Sequence, residues 1–234
     1  MLRASLFLLV FIPLTAAIAT SAIFCTFIDP TGALYHRHAV LWARMALWLA
    51  GVTVRVEGGE KVPMHEPIIF MCNHQSNFDI LALFSAIPRQ FAWIAKEELF
   101  RIPVFGHSMG RAGYIPLDRS DGRRALKSME AAAQTIRSGR SVIIFPEGTR
   151  TTDGQLLPFK QGGFLLAVKA GVRVVPVTVS GSMEVNPPKR LLLRRGQIRV
   201  RFGDPVEPAA GTGAKQRETL MEKVRLEISK GLED

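Results

Sequence analysis

Pro67-Ile68-Ile69-Phe70-Met71-Cys72-Asn73-His74-Gln75-Ser76-Asn77-Phe78-Asp79 is the stretch whose reading decides the fold. Pro67 to Cys72 is a short apolar run, the pattern of a strand buried on both faces. Asp79 to Ile87 is again apolar, is stopped by Pro88 and reads as a helix. Between them, Ser76-Asn77-Phe78-Asp79 matches a capping box, whose acidic side chain satisfies the first helical N–H groups. The arrangement is strand, polar turn, helix. It recurs downstream: Ser141 to Phe145 reads as a strand, Pro146-Glu147-Gly148-Thr149-Arg150 as a charged turn, and Gly163 to Ala170 as a helix ended by Gly171.

Further elements fit the same plan. Val52 to Glu57 alternates valine with polar residues and is turned by Gly58-Gly59. Phe91 to Ala95, Tyr114 to Leu117, Val172 to Val179 and Gln197 to Phe202 read as strands. Arg123 to Ser138 reads as an amphipathic helix and Lys215 to Lys230 as a final helix. Strands alternating with helices predict an α/β domain with a central, mostly parallel or mixed sheet flanked by helices.

The N-terminus differs in character. From Ala4 to Ile28 there is no charged residue across 25 positions, and about 20 apolar residues suffice to span a bilayer core as helix. Pro13 kinks such a helix rather than forbidding it. The competing reading is a secretory signal, with Arg3 as its basic start and Ala19-Thr20-Ser21-Ala22 near a cleavage site. Ala39 to Ala50 is apolar except for Arg44 and carries Trp42 and Trp48. Indole rings favour the headgroup level of a bilayer, so this segment reads as an interfacial helix or as a core helix packed on the domain. The expected division is residues 1–51 as membrane-anchoring helices and residues 52–234 as the α/β domain.

A chain of 234 residues with 47% hydrophobic residues can build a substantial core, and disorder is excluded. The formal net charge is +10, which implies an anionic partner such as phospholipid, nucleic acid or an acidic protein. Nucleic acid is set aside, because no helix-turn-helix, zinc-finger or aromatic RNP pattern accompanies the charge. Cys25 and Cys72 form neither a disulfide framework nor a zinc site. No metal site is read anywhere, and the isolated His36-x-His38 is taken as interfacial.

His74 follows a strand and precedes a helix, the position where α/β proteins place their sites. Asp79 lies about one helical turn on. It can accept a hydrogen bond from one imidazole nitrogen, fix the tautomer and leave the other nitrogen to take a proton. Gly148 permits close backbone approach, and Arg150 offers a planar fork to phosphate oxygens. Phe159-Lys160-Gln161-Gly162-Gly163 adds a cation at a helix entry; Lys96 and Arg119 are further cations within distinct local blocks. The basic stretch Lys189 to Arg195, four cations around three leucines, reads as a lipid-facing loop, a contact for an acidic carrier protein or a solvated loop. Gly106-His107-Ser108-Met109-Gly110 is a literal G-x-S-x-G, but that hydrolase motif orders its triad serine, acid, histidine. The histidines are His36, His38, His65, His74 and His107, and none follows Ser108.

Together these blocks resemble the PlsC-like lysophosphatidic acid acyltransferase family of glycerolipid acyltransferases. The likeness rests on Asn73-His74 with Asp79; Gly113 to Arg119; Phe145 to Arg150; and Val175-Pro176-Val177, in that order, together with Lys96-Glu97-Glu98-Leu99, Pro103 with Gly106, and Phe159-Lys160-x-Gly162. It covers about residues 50 to 205. One departure is Pro116, where the family usually carries an apolar or aromatic residue. The resemblance implies an N-terminal two-helix membrane motif and transfer of a fatty acyl chain to the sn-2 hydroxyl of lysophosphatidate, giving phosphatidate in phospholipid biosynthesis. His74 and Asp79 are the implied catalytic pair, with His74 as general base. Lys96, Arg119, Glu147, Gly148, Thr149 and Arg150 are the implied substrate-binding residues. Acyl-CoA or acyl carrier protein is the implied acyl donor, with no other cofactor and no acyl-enzyme. Membrane phospholipid is the expected partner, and the catalytic domain is expected on the cytoplasmic side of the membrane. Other acceptors within the same chemistry are lyso-ornithine lipid, other lysophospholipids and glycerol 3-phosphate. A reading of a different class is a non-catalytic module that binds anionic lipid.

Overall fold

A computed structural model describes residues 2–102, 105–117, 122–209, 211 and 213–233. In chain order the helices are α1 (Leu2–Ile28), α2 (Ala33–Ala50), α3 (Phe78–Ala86), α4 (Glu97–Phe100), α5 (Phe105–Arg111), α6 (Gly122–Arg137), α7 (Gln161–Ala170), α8 (Ser182–Val185) and α9 (Ala214–Glu233). The strands are β1 (Val52–Glu57), β2 (Ile69–Cys72), β3 (Ala92–Lys96), β4 (Ile115–Leu117), β5 (Val142–Ile144), β6 (Val174–Ser180) and β7 (Gly196–Phe202). They form one sheet in the order β1-β7-β6-β2-β5-β3-β4. Every pairing is parallel except β6 with β7. The expected α/β architecture, a mostly parallel mixed sheet with helices around it, is the one observed.

Side-chain alternation sorts the core into two layers. From β2, Phe70 and Cys72 face one side with α3, while Ile69 and Met71 face the other with α6, α7 and α9. All four β2 residues are buried. That is why the segment reads as a continuous apolar run rather than an alternating one. β2 lies centrally between β6 and β5, in register Ile69↔Val142, Phe70↔Ile143 and Met71↔Ile144 with β5. The residues that follow β2 and β5 therefore emerge side by side at the carboxyl end of the sheet.

α1 and α2 form a hairpin. Asp29 organises its turn: one carboxylate oxygen accepts the Leu34 N–H at 2.7 Å, and the other accepts the N–H and hydroxyl of Thr31. The Trp42 indole N–H donates to the Thr15 hydroxyl at 3.0 Å, Phe11 packs on Trp42, and the Arg3 guanidinium donates to the Ala50 carbonyl. α2 buries Ala43, Ala46, Leu47 and Ala50, one face at helical spacing, in the same core layer as α3. Of the two alternatives for this segment, packing on the domain describes that face, while Trp48 on the opposite face is 81% exposed. α1 places Ala4 and Phe7 in the core and leaves Leu9, Ile12, Phe24 and Ile28 outward. Among the described residues it is the one helix long and apolar enough to cross a membrane by length and composition.

The short helices α4, α5 and α8 are not foreseen by the sequence reading. They are local coils of the chain whose lengths fall below a full periodic pattern. α5 contains Ser108, buried inside a helix rather than at the tip of a strand-to-helix turn. The hydrolase elbow is absent from this segment.

Candidate active site

The turn after β2 carries His74. Its Nδ1 lies 2.7 Å from the Asp79 Oδ2. The same carboxylate oxygen accepts the backbone N–H groups of Gln75 at 2.7 Å and Ser76 at 2.8 Å. The capping reading and the orienting reading of Asp79 are thus both realised by one atom. Asp79 is wholly buried at the start of α3, whereas the His74 side chain is 15% exposed. With Nδ1 engaged, the imidazole has Nε2 as its remaining acceptor.

Asn73 clamps the turn to the next strand. Its side-chain amide donates to the Val179 carbonyl and its carbonyl oxygen accepts the Val179 N–H, at 2.9 and 2.8 Å. A second clamp comes from the turn after β5. One Glu147 carboxylate oxygen accepts the His74 N–H at 2.7 Å, and the other accepts the Leu157 N–H at 2.9 Å. Thr151 N–H donates to the His74 carbonyl at 2.9 Å. The Phe145 ring stacks on the imidazole, with centroids 3.9 Å apart and planes 9° from parallel. His74 is consequently held from below, behind and one side by groups from two adjacent strand ends.

Burial of the Glu147 carboxyl raises its pKa above the ordinary value, against the two backbone N–H groups that lower it. Burial also pushes the nearby Cys72 thiol well up, which keeps it protonated and a poor nucleophile. Among the described residues no group of three or more His, Cys, Asp or Glu side chains is placed to hold a metal ion.

The remaining candidates occupy different positions. Arg150 lies at the rim, where its guanidinium donates to the Asn77 side-chain oxygen at 2.6 Å. Gly148 has φ +70°, the left-handed region that disfavours a side chain. A Cβ there would sit 2.9 Å from the Lys160 ammonium, so Lys160 stands directly over this turn. Thr149 is exposed beside it. Lys96, at the end of β3, is exposed and paired with Glu98 at 3.3 Å. Arg119 lies outside the described residues. The structure therefore brings His74, Asp79, Glu147, Gly148, Thr149 and Arg150 to one pair of strand ends, with Lys96 on a strand beyond. The sequence reading had assigned no individual role to Asn73, Phe145, Asn77 or Thr151. The one available signal was Asn73, a polar residue continuing a fully buried strand.

A cavity of about 270 Å³ opens beside Phe145 and Gly148 and runs between the sheet, α6 and α7. Its walls include Ile94, Met129, Ile144 and Leu166, so its interior is apolar. An oriented base stacked on Phe145, itself a wall residue of this apolar recess, with Lys160 on the same wall, can remove a proton from a hydroxyl on an amphiphilic anionic substrate.

Comparison with known proteins identifies the family. The chain is 36% identical over 186 residues to a chloroplastic 1-acyl-sn-glycerol-3-phosphate acyltransferase of Arabidopsis thaliana, covering 78% of this chain and 52% of that protein. It is 36% identical over 179 residues to 1-acyl-sn-glycerol-3-phosphate acyltransferase alpha of Homo sapiens, covering 76% of this chain and 63% of that one. The chain thus spans about half the length of the first curated relatives it matches. The crystal structure of the 1-acyl-sn-glycerophosphate acyltransferase PlsC from Thermotoga maritima superimposes with a TM-score of 0.83 at 27% identity, covering 99% of this chain and 95% of that one. A family model described as Acyltransferase matches residues 53–180, more than half of the chain, and with the site just described it shows that the chain belongs to the acyltransferase family.

Proposed function

We propose that this protein transfers a fatty acyl chain from a thioester donor, acyl-CoA or acyl carrier protein, to the sn-2 hydroxyl of lysophosphatidate. The observation that carries the reading is the His74 imidazole, fixed by buried Asp79 at the carboxyl end of two adjacent parallel strands. The likeness to 1-acyl-sn-glycerol-3-phosphate acyltransferases supports lysophosphatidate as the acceptor.

In the proposed reaction His74 Nε2 takes the proton of the acceptor hydroxyl. The resulting alkoxide attacks the thioester carbonyl carbon, and the tetrahedral adduct collapses with cleavage of the C–S bond. The imidazolium returns its proton to the departing thiolate, so the histidine is regenerated. Asp79 supports the imidazolium by charge and holds the ring in place. Glu147 acts as a brace on the His74 backbone, since both of its oxygens are occupied by N–H groups. Arg150, with Lys160 beside Gly148, Lys96 and Arg119, would supply cationic contacts to the acceptor phosphate. The apolar cavity beside Phe145 suits the donor's acyl chain. α1 would lie in the membrane with the domain on its cytoplasmic side, and the reaction needs no metal or cofactor beyond the donor.

The test is acyl transfer by purified protein in detergent. Labelled acyl-CoA and acyl carrier protein are supplied with lysophosphatidate, lyso-ornithine lipid and glycerol 3-phosphate in parallel. Phosphatidate is the expected product, and His74→Ala should lower kcat by about 10²–10⁴ with folding intact. Transfer confined to another acceptor would overturn lysophosphatidate as substrate. Folded protein that transfers to none of them would overturn the reaction.

A further inference from the structure

A second recess opens at the same turn, distinct from the cavity beside Phe145. It is a groove of about 660 Å³ between α1, α3 and the segment 186–193, within the ~300–1,000 Å³ typical of small-molecule sites. Its walls are Phe7, Leu8 and Phe11 from α1, and Phe78, Ile80 and Leu81 from α3. Leu191 to Leu193 close it from the other side. Arg150, Lys189 and Arg190 also line it, and among the described residues no acidic side chain does.

The closing segment is tied to the turn that carries His74. The Ser76 hydroxyl donates to the Asn186 carbonyl at 2.7 Å, the Asn186 amide donates to the Leu192 carbonyl at 2.8 Å, and the Arg194 N–H donates to the Val185 carbonyl at 2.9 Å. Lys189 follows Pro187-Pro188 and is held at φ +60°, the one non-glycine among the described residues in the left-handed region. Lys189 is exposed on the wall of the groove. On its far side the groove is walled by α1, whose outward residues Leu6, Leu9 and Ile12 are more than half exposed. One apolar trough, one cationic rim and an apolar approach match an amphiphile with a single chain and an anionic head.

We propose that this groove seats the acyl chain of the lysolipid acceptor itself, with the head's phosphate at Arg150, the cation this groove shares with the contacts proposed above, Lys189 and Arg190 adding positive charge along the wall, and the free hydroxyl toward His74. The inference rests on the acyl-transfer reading above and adds a separate place for the second chain: the donor's chain lies past Phe145, the acceptor's between α1 and α3. It makes α1 part of the substrate site as well as an anchor.

Filling the groove tests it. Ile80→Phe on α3 and Leu192→Phe on the closing segment each enlarge a partly buried wall residue. Each is assayed with oleoyl and hexanoyl lysophosphatidate at saturating donor. The ratio of kcat/KM for the long-chain over the short-chain acceptor should fall about tenfold, through the KM of the oleoyl form. A ratio unchanged in both variants, with folding verified by circular dichroism, overturns the proposal. Because Ile80 packs against the core, Leu192→Phe alone decides if the first variant does not fold. If the wild-type protein transfers to no acceptor, the reaction reading fails separately. The groove is then judged by quenching of Trp42, which lines it, in a protein carrying Trp48→Phe and Trp93→Phe. Dibromostearoyl lysophosphatidate should quench it in a manner relieved by Leu192→Phe, and equal quenching in both proteins overturns the groove as the chain's seat.

Discussion

At the scale of single residues, the site depends on carboxylates that do different work in similar seclusion. Asp79 places one oxygen against the imidazole and two backbone N–H groups at once. Asp79→Asn retains an acceptor for that cluster but removes the charge that stabilises an imidazolium. The expected result is a fall in kcat of about 10²–10⁴ with little change in acceptor KM, read from steady-state kinetics. Glu147 faces the backbone instead, and its burial holds the carboxyl above the ordinary 4.5. The folded state therefore binds this proton more tightly than the unfolded chain does. Its contribution is fully present below the ordinary pKa and is lost as pH rises through the raised one. Denaturant unfolding across this range should show wild-type stability declining relative to Glu147→Gln as pH rises from 4.5. A difference independent of pH would show that Glu147 does not titrate there.

At the scale of elements, helix α9 illustrates how closely the layers are pressed together. It lies on β6 with Gly231 against Thr178, and the Thr178 hydroxyl donates to the Ile228 carbonyl at 3.0 Å. A Cβ added at Gly231 would press on the Thr178 Oγ1 and stand 2.8 Å from its Cβ. Neither atom is the end of a flexible chain, so the helix must shift. Gly231→Ala should destabilise the protein by about 1–3 kcal/mol, seen as a lowered Tm, with kcat per folded molecule nearly unchanged. The strand pair β2 and β5 is the element-level origin of the site. Their parallel register brings Asn73-His74 beside Phe145-Pro146-Glu147 although the segments are 73 positions apart in sequence.

At the scale of the whole molecule, the α1–α2 hairpin shares a core layer with the sheet. Ala43, Ala46, Leu47 and Ala50 pack with Leu83, Phe84 and Val52 in one cluster, and Phe7 reaches Phe78 at 6.1 Å between ring centroids. Removal of residues 1–51 would uncover that apolar face, and exposed patches of this kind drive aggregation. The truncated chain 52–234 should accumulate as aggregate without detergent and lose its cooperative thermal transition. A soluble 52–234 with an unaltered Tm would show that the hairpin serves as an anchor alone.

What the sequence determined by itself is local. The apolar run Pro67 to Cys72, the turn and the helix-starting Asp79 specify strand, bend and helix, and the His74–Asp79 bond spans five positions at one helix entrance. The length and apolarity of α1 were likewise legible. The brace from Glu147, the Phe145 ring on His74, the Asn77–Arg150 bond and the Asn73 clamp on Val179 were decided by tertiary structure alone. So was the inward face of α2. Each joins residues far apart along the chain, and such pairs are set by which strands lie side by side and in what register. Periodicity and capping patterns report a residue's near neighbours; only the assembled sheet fixes which distant turn stands beside His74.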